Sequence, residues 1–554
     1  MKDNAQRELP FDAAESQTPS MRGNSMRENR ETHGVASPDG GGARSGKAKP
    51  KPDMHAPGES DGVVVPTKQA NNAADDVPDA AEPAEERTPT EGNATRTRLA
   101  PDAVPGKRRG IGLRGVREAA RRDKETRFTA LLHHVTPELL RRSFFALKKN
   151  AAPGVDRMTW REYRHGLEAR LFDLHGRVHR GAYRAQPSRR QYIPKPDGRQ
   201  RPLGIAALED KIVQQAVREV LEQIYEEDFR GFSYGFRPKR GCHDALDALY
   251  VGINRKKVNW VLDADIRGFF DAIDHEWMMR MLEHRIADKR VLRLVRKWLT
   301  AGVSEDGQWS RTTVGTPQGA VISPLLANIF LHYVLDLWVD QWRKQTARGD
   351  VIIVRYADDF VIGFQHRDEA ERFLRELHGR MEKFGLQLHP DKTRLIEFGR
   401  FAASNRKRRG EGKPETFDFL GFTHCCAKTR HGRFVIRRRS VAKRLRATLQ
   451  AIKVELTRRM HSPLVQQGQW LRSVVRGWFQ YHAVPLNGEA LNTFRTQIIR
   501  MWRHALRRRS QKGRRKWNWG RMQRLIQHWI PATRILHPYP EQRLIVTKPK
   551  VGAV

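Results

Sequence analysis

In VIIVRYADDFVIGF, residues 351–364, two adjacent carboxylates, Asp358 and Asp359, interrupt a pair of strongly apolar runs. Burying an unpaired anion is costly, so a chain keeps one in such surroundings where a cation or a substrate compensates. A tight turn at Ala357 and Asp358 would put both carboxylates at a hairpin tip. Asp-rich turns are common, however, and the pair alone does not define a site. A second segment, NWVLDADIRGFFDAID (259–274), supplies further carboxylates. Strand alternation puts Val261, Asp263 and Asp265 on one face and Leu262, Ala264 and Ile266 on the other. If this strand lies beside the hairpin, Asp265 and Asp358 can jointly hold two Mg²⁺ roughly 3.5–4 Å apart. Hard cations take oxygen ligands, and carboxylates from two strands leave room for triphosphate oxygens. Alternation does not separate Asp263 from Asp265, so Asp263 stays in reserve. No side-chain nucleophile is required.

These residues need a scaffold, and the apolar pattern supplies one. Residues 258–266 and the two runs within 351–364 predict strands, and Gly268 lets the chain turn so that Phe269 and Phe270 pack behind. Residues 209–225 place Ile212, Val213, Ala216, Val217, Val220, Leu221 and Ile224 on one helical face. Helices are also predicted over 275–286 and 324–337, the latter with Ser323 as N-cap and Pro324 in its first turn. Phe128, Leu131, Leu132, Val135, Leu139, Leu140, Phe144 and Phe145 recur at helical spacing within 126–149, broken by Pro137. Asp197-Gly198 lies between short alternating segments and reads as a hairpin turn. After about residue 440 the strand signal fades, and Val441, Leu445, Leu449, Ile452 and Leu456 mark a helix capped by Ser440. The fold class is α+β, without an internal repeat.

The charge of +40, from 103 Lys and Arg against 63 Asp and Glu over 554 residues, calls for a polyanionic partner. Nucleic acid is favoured over a membrane, because the cationic helices mix Trp with Arg and have no clean apolar face. Between Thr457 and Pro540 the only acid is Glu489. There Arg507, Arg508, Arg509, Arg514, Arg515 and Lys516 adjoin Trp517 and Trp519, a composition suited to phosphate neutralisation and base stacking. A solvated helix face is the plainer alternative. Three cysteines, Cys242, Cys425 and Cys426, cannot build a disulfide framework or a four-thiolate zinc site. His424 beside Cys425 and Cys426 reads as structural. The first residues lack an apolar leader and no run approaches about 20 apolar residues, so the expectation is a soluble, cytoplasmic protein without membrane contact. Residues 1–110 are Pro-, Gly-, Ser-, Ala- and charge-rich and read as a disordered arm.

The ordered blocks DIRGFFD, TPQGAVISPLLANIF, YADD, GLQLHPDKT and FDFLGF resemble those of a reverse transcriptase, in the style of bacterial group II intron reverse transcriptase/maturases. RFTALLHHVT resembles the extra N-terminal block of that family and VRGWFQYH its maturase domain. The resemblance implies a right-hand polymerase: fingers and palm over 111–432, a helical, basic thumb/maturase domain over 433–540, and a tail over 541–554. It implies Asp265, Asp358 and Asp359 as the catalytic triad, holding two Mg²⁺ with Ile266 counted among the metal-contacting positions, and no zinc. Lys195, Arg201, Phe270, Gln318 and Lys392 match dNTP-binding positions, with Phe270 excluding a 2′-hydroxyl and Gly319 beside Gln318. Partners implied are group II intron RNA, an RNA template, a DNA primer and dNTPs, with association to the nucleoid through nucleic acid. Many relatives end in an endonuclease with paired CxxC sites, which the cysteines here do not supply. A splicing-only maturase, a non-intron reverse transcriptase of a defence or diversity-generating system, and RNA-templated RNA synthesis are the alternatives. The intact aspartates, the segment around Gly477 and Trp478, and Phe270 weigh against them in turn.

Overall fold

The computed structural model describes residues 111–543 apart from 195–199 and 306. The expected arm over 1–110, Lys195, the hairpin turn at Asp197-Gly198 and the tail beyond Arg543 lie outside the described residues.

The architecture grows from one four-stranded antiparallel sheet, in the order Val351–Tyr356, Asp359–Phe364, Trp260–Ala264, Arg394–Glu397. Its strands alternate between two apolar clusters, as a sheet buried on both faces must. Leu262, Ala264, Ile353, Ile362 and Phe364 enter the larger cluster with helices Leu208–Asp228, His275–Arg285, Ser323–Leu331 and Arg367–Lys383. Val261, Val354, Val361 and Ile396 face the other way. They meet helix Cys242–Arg255 and a three-stranded sheet formed by Phe417–Phe419, Phe422–Lys428 and Phe434–Ser440. Full burial of each such side chain is worth about 1.5–3 kcal/mol, enough for the alternation to fix the register.

A second four-stranded sheet joins the hairpin Ser188–Pro194 and Gln200–Ile205 to the short strands Val303–Glu305 and Gln308–Ser310. The helices Ala442–Arg458, Leu464–His482, Gly488–Arg508 and Trp519–Trp529 build a third cluster around Trp502. The Trp502 indole donates to Gln467 Oε1 at 3.0 Å, and the Gln467 amide nitrogen donates to the carbonyls of Arg459, Met460 and Ser462. No described helix is long and apolar enough to cross a membrane.

Several local expectations change. Within 126–149, Phe128 bridges to Ile286 and Leu132–His134 form a single 3₁₀ turn. Pro137 opens the helix Pro137–Ala146, capped by the Thr136 hydroxyl, because a first-turn proline lacks only an N–H that has no partner there anyway. Ser323 is already helical, and its hydroxyl donates to the Pro317 carbonyl. The helix expected to end at 337 continues through a π turn, His332–Asp336, to Gln345. Ser440 ends a strand and does not cap the next helix; its hydroxyl bonds instead to His482 Nδ1 and the Asn487 amide, each at 2.9 Å. The expected division at 432 falls in the turn between two strands of the three-stranded sheet.

Candidate active site

Tyr356 pairs with Asp359, so Ala357 and Asp358 form the two-residue turn of a hairpin whose last rung carries the second aspartate. Ala357 has φ +59°, a left-handed conformation that strains a residue with a Cβ. The surroundings impose it. Arg355, fully buried, donates through Nη1 to the Ala357 carbonyl at 2.9 Å and to Asn328 Oδ1 at 3.1 Å. Its remaining nitrogens grip Asp336 bidentately at 2.7 and 2.5 Å and reach the Ser233 hydroxyl at 2.7 Å. Asp336 lies in the π turn, a feature often found where a helix serves a site. Along the hairpin's open edge, Tyr234 N donates to Arg355 O and Arg355 N to Phe232 O, both at 2.9 Å. Gly235 follows, so close that a Cβ there would lie 2.2 Å from Ala357 N, and Asn328 donates to its carbonyl at 2.7 Å.

The neighbouring strand Trp260–Ala264 delivers Asp265 to the same end of the sheet. His389 N donates to Asp265 O and Arg267 N to Gln387 O, each at 2.8 Å, so the segment after Gly385 zips alongside. That brings the Lys392 ammonium onto the Asp265 carboxylate. The charge of Asp265 is felt at Asp359. Crowding by the surrounding protein, then the charges of Asp358 and Asp265, push the Asp359 carboxyl up to about 7, although the residue itself is exposed on the hairpin. Asp358 is raised by burial and by Asp265, against the opposing charges of Arg201 and Lys392. Asp263 sits lower on the strand, 3.7 Å from Arg394; burial raises its carboxyl to about 6 while Arg394 draws it down.

No group of three or more His, Cys, Asp or Glu among the described residues forms a ready-made metal cage. The donor set nevertheless suits hard divalent cations: carboxylate oxygens from neighbouring strands, of which those of Asp358 and Asp359 resist ionisation when left without a cation, and one lysine cation against Asp265. The Ile266 side chain is hydrocarbon and buried, so the backbone carbonyl oxygen is the donor this residue could offer a metal.

Phe270 packs partly buried against the larger core, edge-on to Phe269 at 5.5 Å between ring centroids. The Phe270 carbonyl accepts from Thr316 N at 2.8 Å, and Gln318 Nε2 donates to Asp271 at 3.4 Å. Gly204 N donates to Gln318 O at 2.7 Å, and Gly319, at φ +117°, lies where a Cβ would meet Gly204 O at 2.8 Å. Thus Phe270, Gln318, Gly319 and the strand carrying Arg201 are brought together, and Arg201 is near enough for its charge to be felt at Asp358.

The basic residues divide. Arg507 and Arg508 close the helix Gly488–Arg508, Arg509 donates to the His461 carbonyl, and Arg515 and Lys516 are exposed. Trp517 is buried in the third cluster and cannot offer a face to a base, whereas Trp519 is 50% exposed. Nothing is described of the Arg514 side chain. His424 is fully buried, stacks on Phe417 at 4.8 Å and is pushed down to about 3 by burial, as fits a core residue. Sequence reasoning missed Arg355, Asp336, Asn328, Ser233 and Gly235. The available signal was an arginine and an aspartate, each stranded in an apolar run.

An aspartate hairpin beside a third aspartate on a four-stranded antiparallel sheet, with helices behind, is an arrangement whose carboxylates could serve the divalent cations of nucleotidyl transfer. The family described as reverse transcriptase (RNA-dependent DNA polymerase) matches residues 193–424. Protein YkfC of Escherichia coli K12 is 33% identical over 330 residues, 52% of this chain and 87% of that protein. The group II intron-encoded protein LtrA of Lactococcus lactis subsp. cremoris is 44% identical over 169 residues, 30% of this chain and 28% of that one. An uncharacterised 91 kDa protein in the cob intron of Schizosaccharomyces pombe is 34% identical over 222 residues, 39% of this chain and 27% of that one. The chain thus spans most of the first relative and under a third of the other two. It belongs to the reverse transcriptases, RNA-directed DNA polymerases, of the group II intron reverse transcriptase/maturase kind.

Proposed function

We propose that this chain copies RNA into DNA with Asp265, Asp358 and Asp359 as its catalytic residues, and that it also holds group II intron RNA to assist splicing and mobility. The observation that carries the first part is the convergence of the three aspartates on one end of the sheet, against Lys392. Two Mg²⁺ held there by the aspartates, with the Ile266 carbonyl as a further donor, would supply charge to activate a primer 3′-hydroxyl and stabilise departing pyrophosphate. Arg201 and Lys195 bind the incoming triphosphate, Arg201 as a bidentate fork. Lys392 orients Asp265 and offsets its charge. Phe270 excludes a 2′-hydroxyl, and the backbone around Gln318 and Gly319 fixes the strand that presents Arg201.

In hand terms, residues 111–432 form fingers and palm, and 433–540 a thumb/maturase domain. The intron-RNA role is supported by the basic helical region and by LtrA, a group II intron-encoded protein by name. The test is primer extension with dNTPs and Mg²⁺ on a poly-ribonucleotide template. Extension by the native chain that Asp358→Asn abolishes is expected. If neither extends a primer while both bind structured RNA, the chain is a splicing-only maturase.

A further inference from the structure

The C-terminal half of the helix Gly488–Arg508 carries Arg500, Arg503, His504, Arg507 and Arg508 on one stripe, at the three- and four-residue spacing that makes side chains neighbours. Trp502, Ala505 and Leu506 occupy the buried side. Beside the stripe, Trp519 of the next long helix closes a cavity of about 600 Å³, open to solvent, whose lining holds no acidic residue. That volume lies within the roughly 300–1,000 Å³ of small-ligand sites.

Three observations separate this cavity from an ordinary basic surface. Among the described residues, none of the four arginines is ion-paired, so the like charges are uncompensated in the free protein. Arg507 Nε is buried without a hydrogen-bond partner. Arg503 lies over the Trp519 ring, 4.3 Å from its centroid, and donates to the Trp517 carbonyl at 3.2 Å, which anchors the guanidinium against the half-exposed indole. Guanidiniums with no acids to pair with, beside a half-exposed indole, meet two needs at once: phosphate charge and an aromatic face for a base.

We infer that this cavity is a single-strand subsite: backbone phosphates lie on Arg500, Arg503, Arg507 and Arg508, and one unstacked base stacks on Trp519. A duplex is excluded by the same chemistry, because its bases present no free face. The inference rests on the nucleic-acid reading above and sharpens it to one nucleotide-sized site, fed by RNA or by a DNA strand.

The test uses the full chain, without dNTPs or Mg²⁺, and fluorescence anisotropy with a short single-stranded RNA, the same RNA bearing abasic sites, the matching DNA strand and an RNA duplex. Trp519→Ala should weaken the ordinary RNA about tenfold and leave the abasic RNA unchanged. Trp519→Phe should restore most of the loss. Arg507→Gln should weaken both RNAs and lower the slope of log affinity against log salt by about 0.7. Comparing the RNA and DNA arms identifies which strand the site serves. Equal loss of ordinary and abasic RNA in Trp519→Ala, an equal loss of the duplex in that same variant, or no loss in either variant overturns the subsite. Because no catalysis is read, failure of primer extension by the native chain would leave this result standing, and failure here would leave extension intact.

Discussion

The aspartate turn and the arginine stripe both concentrate like charge, and they manage it in opposite ways. At the turn, the carboxylates rest on a buried network in which Arg355 contacts Asp336, Asn328, Ser233 and the Ala357 carbonyl, so the strained backbone has no alternative position. On the stripe, the arginines lie over an apolar core and have no counter-charge among the described residues. A rigid, over-determined site suits chemistry, where small displacements are expensive. An uncompensated cationic face suits binding, where the missing charge arrives with the ligand.

The contrast breaks most sharply at Arg355. Arg355→Ala leaves Asp336 buried and unpaired and should cost about 3–5 kcal/mol in denaturant unfolding. Arg355→Met combined with Asp336→Leu should recover most of that stability without recovering dNTP incorporation, since the Ala357 carbonyl still loses its donor. Full recovery of both would show that the network only stabilises the fold. Gly235→Ala, which pushes a methyl into Ala357 N, should cost about 1–3 kcal/mol and slow incorporation. By contrast, Arg508→Ala should leave the unfolding midpoint unchanged.

The seam between the sheets and the helical region is expected to respond to acid. His243 stacks on His537 at 3.9 Å and bonds the Tyr481 carbonyl, while His482 bonds Ser440. Burial first, then neighbouring positive charge, pushes His243 and His482 down to about 4. Their folded values lie below the unfolded value near 6.5, so the unfolded chain takes up more protons as pH falls from about 6.5 toward 4. Stability should therefore fall over that window, at up to about 1.4 kcal/mol per pH unit for each group. A His482→Gln variant should show a shallower decline, and an unchanged one would remove His482 from the account. Smaller still, Phe270→Ala should relax discrimination against ribonucleotides by about tenfold; an unaltered ratio of dNTP to rNTP use would leave Phe270 a packing residue.

The sequence made the aspartates legible because a carboxylate in an alternating apolar strand is conspicuous, and two such strands suggest each other. Asp263 and Asp265 were inseparable by alternation, since they share a face; only the return of Lys392 and His389 alongside Asp265, and of Arg394 beside Asp263, distinguishes them. Helix 209–225 was legible from its one-sided periodicity and extends only to Leu208–Asp228. The Arg355 network was not, because Asp336, Asn328 and Ser233 lie 19, 27 and 122 positions from the arginine they bond and are satisfied only after folding. Ser440 and Pro137 misled through local rules that tertiary hydrogen bonds and a first-turn placement override. Trp517 and Trp519, two residues apart, fall on opposite sides of the protein surface, one in the core and one at the cavity mouth.

The most direct test of the central claim is Mn²⁺ binding, followed by electron paramagnetic resonance in the presence of a dNTP, for the native chain and for Asp358→Asn and Asp265→Asn. Saturable binding of two ions by the native chain, with at least one lost in each variant, is the result expected of a metal site built by these aspartates. Equal binding by all three proteins would contradict it.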